Sequence, residues 1–200
     1  TTASRNVAVG HNAATANTTG ADNVGVGDSA LAANTTAANN TALGSAALQA
    51  NTTGASNTAV GRAALNANTT AANNTAVGHF SLLANTTGTE NVAVGAFASD
   101  ALTTSNYNVA VGYLSLSTET AGTSNTAIGS QALSTQNTSG GGAIYNTAVG
   151  TSAGRLVTTG TNNTLIGGLA GDAMTTGPSN TFIGQNSGGA TTTGGQNTAV

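Results

Sequence analysis

The chain repeats with a fixed period. Asn6-Val7-Ala8-Val9-Gly10 returns as Asn23-Val24-Gly25-Val26-Gly27, Asn40-Thr41-Ala42-Leu43-Gly44 and Asn57-Thr58-Ala59-Val60-Gly61, and then starts again at Asn74, Asn91, Asn108, Asn125, Asn146, Asn163, Asn180 and Asn197. Ten of the eleven intervals are 17 residues long, and the step from Asn125 to Asn146 is 21. A short constant period means one structural unit stacked on copies of itself, each too small to bury its apolar face alone. Such a chain gives every coil nearly the same residues, whereas an active site needs a few different ones converging, so an enzyme is not expected.

Composition narrows the choice. Charged residues make up 4% of the 200, Lys is absent, and Arg5, Arg62 and Arg155 are the only strong cations, with a net charge of −3. Nucleic-acid binding needs clustered Lys and Arg, so no nucleic-acid partner is expected. No apolar run is long enough for a transmembrane helix, so no membrane insertion is expected. The absence of Cys removes disulfides and zinc–sulfur sites. Disorder is disfavoured because 38% of the residues are apolar and sit in register with the repeat. No signal peptide is visible at Thr1, and the segment reads as a window from a longer repetitive fibre.

Counting each coil from its Asn as column 0, column 1 is Thr or Val, column 2 mostly Ala, column 3 always Val, Leu or Ile, and column 4 Gly. This reads as a short strand with its exit turn. Columns 7 and 8 carry a second apolar pair, as in Ala30-Leu31, Ala47-Leu48 and Ala64-Leu65, which suggests a second, shorter strand. Columns 11 to 14 are typically Asn-Thr-Thr-Gly or Asn-Thr-Thr-Ala, a turn. The expected fold is all-β: a parallel β-solenoid or β-roll of about twelve coils over residues 1–200, with the four extra residues inserted between positions 130 and 145. At about 4.8 Å per coil the rod would be about 55 Å long. The column-0 asparagines should form an amide ladder along it.

Several columns can be assigned to a side. Column 5 is the most varied and should face water, with His11 beside Asp28 and Arg62 beside His79; Arg155 and Asp172 share column 9 and are placed to pair. Where column 8 shrinks from Leu to Gly171 and Gly188, column 2 grows to Leu165 and Phe182, so these columns should fill the same interior; Gly154, with Ala148 still small, departs from that rule. If column 2 faces inward, column 3 faces outward, because strand side chains alternate. Val9, Val26, Leu43, Val60, Val77, Val94, Val111, Ile128, Val149, Ile166 and Ile183 then form one apolar stripe along the rod. Continuous exposed stripes are rare on monomers, so the expected cover is the chain itself, as a homotrimer about a shared axis.

The Asn-Thr-Ala-Val-Gly…Ala-Leu…Asn-Thr-Thr-Gly unit resembles the head repeats of trimeric autotransporter adhesins and the repeat regions of phage and bacterial tail-fibre-type proteins. The resemblance covers nearly the whole chain. It implies a left-handed parallel β-roll, three chains per fibre, an extracellular or virion location, and support of attachment to a cell-surface receptor or glycan.

Chemical candidates are few. His11 and His79 lie four coils apart, roughly 19 Å by the ladder spacing, with no nucleophile–base set around either. The acids are too sparse for glycosidase pairs or calcium cages, and the glycines are not followed by a helix that would cradle phosphate. No catalytic residue, metal or cofactor is expected. Asn17, Asn34, Asn51, Asn68 and Asn85, with Asn39, Asn73, Asn137 and Asn162, open Asn-x-Thr or Asn-x-Ser acceptor sequences, although Asn and Thr at a repeated turn need no further reason. The row Thr18, Thr35, Thr52, Thr69, Thr86 and Thr103 raises an alternative function, ordering water on an ice-binding solenoid. Phe80, Phe97 and Tyr113, with Leu114, are the candidate ligand contacts, a patch suited to carbohydrate or protein but equally to packing.

Overall fold

A computed structural model describes residues 2–200. Columns 1 to 3 form the strands, beginning with Val7–Val9, Val24–Val26 and Thr41–Leu43. Twelve such strands make one parallel sheet whose spatial order is the chain order. Each residue pairs with its own copy, as Ala42 with Ala59 and Ala59 with Ala76. Across the long coil the pairing still holds, Thr126 with Thr147 and Ile128 with Val149. No helix occurs among the described residues.

The glycine after each strand is required by the stacking. At Gly44 the backbone has φ +139, and a Cβ there would sit 2.5 Å from the Gly61 carbonyl oxygen. Successive coils touch backbone to backbone at that corner, and only glycine permits it.

The second strand foreseen at columns 7 and 8 does not form. The segment alternates hand instead: Ser29 and Leu31 are left-handed with φ of 57° and 53°, and the same two columns are left-handed in coil after coil. The amides consequently point in opposite axial directions. Ser29 donates back to the His11 carbonyl at 2.8 Å, Leu31 donates forward to the Ala47 carbonyl at 3.1 Å, and Ala30 between them folds onto Gly27 at 3.3 Å. The backbone is satisfied between coils without being extended. Ala30 and Leu31 are both fully buried because the turn curls them inward, not because they alternate across a pleat.

The core is a single file of Ala42, Ala47 and Leu48 and their copies. Column 11 joins it, since Asn34, Asn51 and Asn68 are as buried as the leucines. Volume is shared among columns 2, 8 and 11, and also between neighbouring coils, which accounts for Gly154. A Cβ on Gly154 would lie 2.6 Å from Leu165 Cδ1 of the next coil, 2.9 Å from Leu133 Cδ2 of the previous one and 3.3 Å from Val157 Cγ2 of its own. The space that Ala148 leaves is filled from above, below and column 11.

Candidate interaction surfaces

The polar ladders come first, because they decide which side chains remain free for a ligand. Asn57 is representative. Its backbone amide donates to Asn40 Oδ1 at 2.9 Å; its Nδ2 donates to the same oxygen at 3.2 Å and to the Ala71 carbonyl at 2.8 Å. Its own Oδ1 accepts from the backbone amide of Asn74 at 3.0 Å. The foreseen column-0 ladder is therefore present, and it also ties each strand start to the turn that precedes the next coil.

A second ladder runs in column 11, where Asn51 Nδ2 donates to Asn34 Oδ1 at 3.0 Å and to the Gly54 carbonyl at 2.9 Å. Asn34, Asn51, Asn68 and Asn85 are buried, so their amides are closed to a glycosylating enzyme in the folded coil, whereas Asn39, Asn73, Asn137 and Asn162 are exposed. The threonines of column 12 turn their hydroxyls inward along the axis. Thr18, Thr35, Thr52, Thr69, Thr86 and Thr103 each donate from Oγ1 to the carbonyl of the corresponding residue in the next coil, at 3.0 to 3.2 Å.

Column 11 then changes to Leu102, Glu119 and Gln136, all fully buried. The Asn ladder stops at Asn85, whose Oδ1 is left without a partner below Leu102. Glu119 is the one fully buried acid among the described residues, and its carboxylate is held by neutral donors only. Oε1 accepts from the amides of Thr120, Ala121 and Gly122 at 3.0, 3.1 and 2.8 Å. Oε2 accepts from Gln136 Nε2 at 3.0 Å and Thr138 Oγ1 at 2.9 Å, and the Thr138 amide reaches both oxygens at 3.2 Å. Burial pushes this carboxyl up, but the Gly122 amide, the Gln136 side chain and the Ala121 and Thr138 amides outweigh it and hold it below the usual carboxylate range. Sequence reasoning missed this cluster. The available signal was a Glu and a Gln aligned in a column that is otherwise Asn or apolar.

The Glu119 cluster anchors the start of the insertion loop in the 21-residue coil. Gly142 pairs with Gly122 and Ala143 with Thr123, so three of the extra residues lie in the loop before Gly142, closed by the Gly141 amide on the Thr138 carbonyl at 2.8 Å. The fourth forms a bulge. Ile144 donates to Thr123 at 3.0 Å and accepts from Asn162 at 2.8 Å, covering both bonds that the coil requires, and Tyr145 is extruded beside it. Ile144 is buried, whereas Tyr145 is 60% exposed.

The outward column-5 assignment holds. His11 Nδ1 lies 3.0 Å from Asp28 Oδ1, and Arg62 Nη1 lies 3.2 Å from His79 Nε2, with the His11–Asp28 pair fully at the surface. Arg155 and Asp172 form no ion pair; the close Arg–Asp pair is instead Arg5 with Asp22, where Nη2 to Oδ2 is 2.7 Å. The hydrogen bond from Arg5 holds the Asp22 carboxyl below its ordinary value.

Phe80, Phe97 and Tyr113 are brought together at the corner where the chain leaves the strand. The Phe80 and Phe97 rings are 5.6 Å apart at 68°, and Phe97 and Tyr113 are 6.4 Å apart at 83°. His79 stacks on Phe80 at 3.9 Å, and the Arg62 guanidinium lies 5.1 Å from the Phe80 ring centre. The rings meet edge to face and pack on one another, so they form a ridge rather than a flat platform. No pocket occurs among the described residues.

The strand face runs the whole length of the stack. Column 2 is buried in every coil but the two at the ends, where Ala8 is exposed and Ala199 half-buried, and columns 1 and 3 look outward as foreseen. Leu43 is 47% exposed, Ile128 38% and Ile183 39%, with Val26, Val60, Val77, Val94, Val111 and Val149 half-buried between them. Beside them stand the column-1 residues Thr41, Thr58, Thr75, Val92 and Val109. No helix is long and apolar enough to cross a membrane. Compared with known protein families, curated proteins and solved structures, the chain matches none.

Proposed function

We propose that this chain is a shaft or head module of an extracellular homotrimeric fibre, of the phage tail-fibre or bacterial adhesin kind, that supports attachment to a host or surface. The reading rests on one observation: a twelve-stranded parallel sheet exposes an unbroken aliphatic column along its whole length. Eleven steps of about 4.8 Å make the face about 53 Å long, and with both flanking corners it is ~16 Å wide. That gives about 850 Å² per chain, similar to the ~800 Å² a chain buries in a stable interface, here divided between two neighbours. Strands apolar on both faces are covered on both faces. Stiffness would come from the ladders and the closed core, and the role is mechanical rather than catalytic.

The native mass in solution tests the proposal. Three chains are expected; a soluble monomer overturns it. Val60→Lys with Val77→Lys and Val94→Lys should reduce the mass to that of one chain while far-ultraviolet circular dichroism keeps its β signature. The ice-binding alternative loses support because each hydroxyl in its Thr row already donates to a backbone carbonyl. A carbohydrate contact on the Phe80, Phe97 and Tyr113 ridge remains a second proposal, which glycan-array binding would test.

A further inference from the structure

Most coils carry small or polar residues in column 6, such as Asn12, Ser29, Ala46, Ala63 and Gln131, and the backbone there is left-handed throughout. Phe80 and Phe97 take that conformation with φ of 58° and 56°. A bulky residue there costs about 1–2 kcal/mol, and neither ring is fully buried in return. Other coils fold without these aromatics, so packing alone does not require them.

Arg62 stands at one end of the same ridge and has no carboxylate partner; the ion pairs among the described residues are Arg5 with Asp22 and His11 with Asp28. A guanidinium keeps its proton, so in the 3.2 Å contact with His79 it donates and Nε2 accepts. That bond and the Phe80 ring, 5.1 Å away, hold the head group in place. One N–H is used, which leaves a pair of parallel donors that match a carboxylate. Column 5 brings no acid next to them: Ser45 precedes Arg62, Ala96 follows His79, and Asp28, two coils away, is engaged with His11. Phe97 continues the ridge, 5.3 Å from the His79 ring and 6.4 Å from that of Tyr113, which is 51% exposed and carries a hydroxyl. From Arg62 to Tyr113 is three coils, about 14 Å along the axis.

We propose that this ridge binds a carboxylate-bearing oligosaccharide laid along the axis, with its carboxylate on Arg62 and its ring faces against Phe97 and Tyr113. The inference rests on the carbohydrate reading of the ridge and not on the number of chains. A fixed, unpaired cation beside aromatic rings complements an anion that also has apolar faces. Acidic sugars have both, in their carboxylate and the C–H faces of their rings. A protein ligand would instead use a pocket for an anchoring side chain or a free sheet edge. No pocket occurs among the described residues, and the ridge follows the column-4 glycine, past the strands. Contact along a shallow ridge is weak in one copy and gains from several copies on one fibre.

Nuclear magnetic resonance titration reads the site and a control together, since His79 and His11 are the only histidines. The probes are tetragalacturonate and sialyllactose, each beside its methyl ester, with maltotetraose as the neutral sugar. The acids should shift the His79 ring signals and leave those of His11 in place, and esterification should weaken binding about fivefold. Arg62→Ser, Phe97→Ser and Tyr113→Ser each introduce a residue that other coils carry in the same column, as at Ser29 and Ser45, so the fold is kept, which circular dichroism checks. Arg62→Ser should reproduce the loss seen on esterification, and the two aromatic variants should weaken acid and ester alike. Arg155→Ser, at the other arginine without an ion pair, should change nothing. Equal affinity for acid and ester, or an equal loss in Arg155→Ser, overturns the acidic-sugar assignment and leaves the carbohydrate reading standing. Binding of none of these sugars overturns both, and a native mass that falls in Phe97→Ser assigns the ridge to contact between chains instead.

Discussion

Exchanging Phe182 and Gly188 for the residues that other coils carry tests whether columns 2 and 8 share one volume. Phe182 is 1% exposed, so Phe182→Ala removes a buried ring, at about 3–5 kcal/mol. Gly188→Leu alone has no space, because a Cβ there already falls 2.2 Å from Phe182 Cδ2 and 2.3 Å from Cε2. Overpacking of that kind costs about 1–3 kcal/mol, and a left-handed leucine adds about 1–2 kcal/mol. Independent effects would sum to about 5–10 kcal/mol. The double variant instead recreates the Ala-with-Leu pairing of Ala42 and Leu48, where Leu48 is left-handed with φ of 49°. It retains only the backbone penalty, about 1–2 kcal/mol. The coupling energy should therefore be about 4 kcal/mol or more, above the usual range for neighbouring residues. Urea unfolding followed by circular dichroism gives the cycle, with amide exchange at Thr181–Ile183 as the local reading. Additivity within about 0.5 kcal/mol would refute the shared-volume account.

Three further outcomes follow from the geometry. Glu119→Gln should destabilise by about 1.5–3 kcal/mol at neutral pH. Because the folded carboxyl lies below its ordinary value, the stabilisation is complete above the usual carboxylate range and is lost as acid titrates the folded group, so wild type and variant should converge on acidification. Asp100 is the opposite case: burial raises its carboxyl and its Oδ1 has no partner, so Asp100→Asn should raise the unfolding midpoint at neutral pH, with the gain shrinking as pH falls through the carboxylate range. Gly61→Ala places a methyl 2.5 Å from the Gly78 carbonyl oxygen and should split the stack at that level, seen as fast amide exchange at Thr58–Val60 and Thr75–Val77 while distant coils stay protected.

The period made most of the fold legible. Equal spacing placed the twelve strands of the long sheet and their register, though not the short pair Gly122–Thr123 and Gly142–Ala143; the invariant Asn announced its ladder, and the Leu165 and Phe182 exchanges pointed to the interior. The segment around Ala30 and Leu31 was misread because a buried apolar pair looks alike in a pleat and in an inward-curling turn; alternation of φ sign leaves no mark in hydrophobicity. Ala148 with Gly154 looked anomalous only while each coil was considered alone, since the filling atoms come from Leu133 and Leu165 in adjacent coils. On the surface, exposure of the stripe and the meeting of Phe80, Phe97 and Tyr113 were foreseen. The Thr hydroxyl direction was not, because a hydroxyl at a turn serves water or backbone equally until the next coil's carbonyl is placed. Tyr145 was hidden for a related reason: the sequence shows that four residues were added, but not that three make a loop and one makes a bulge.

The direction of the backbone hydrogen bonds has a mechanical consequence. They run from coil to coil along the rod rather than across it, so tension applied to the two ends loads them in series and peels coils singly from whichever end yields first. A coil of 17 residues adds only about 4.8 Å to the folded rod. Pulled straight, the same residues span nearly 60 Å at about 3.3–3.6 Å each. A pulled chain would therefore lengthen roughly twelvefold per surrendered coil and absorb work in small equal instalments, much as a sacrificial tether does, while the remaining coils stay intact.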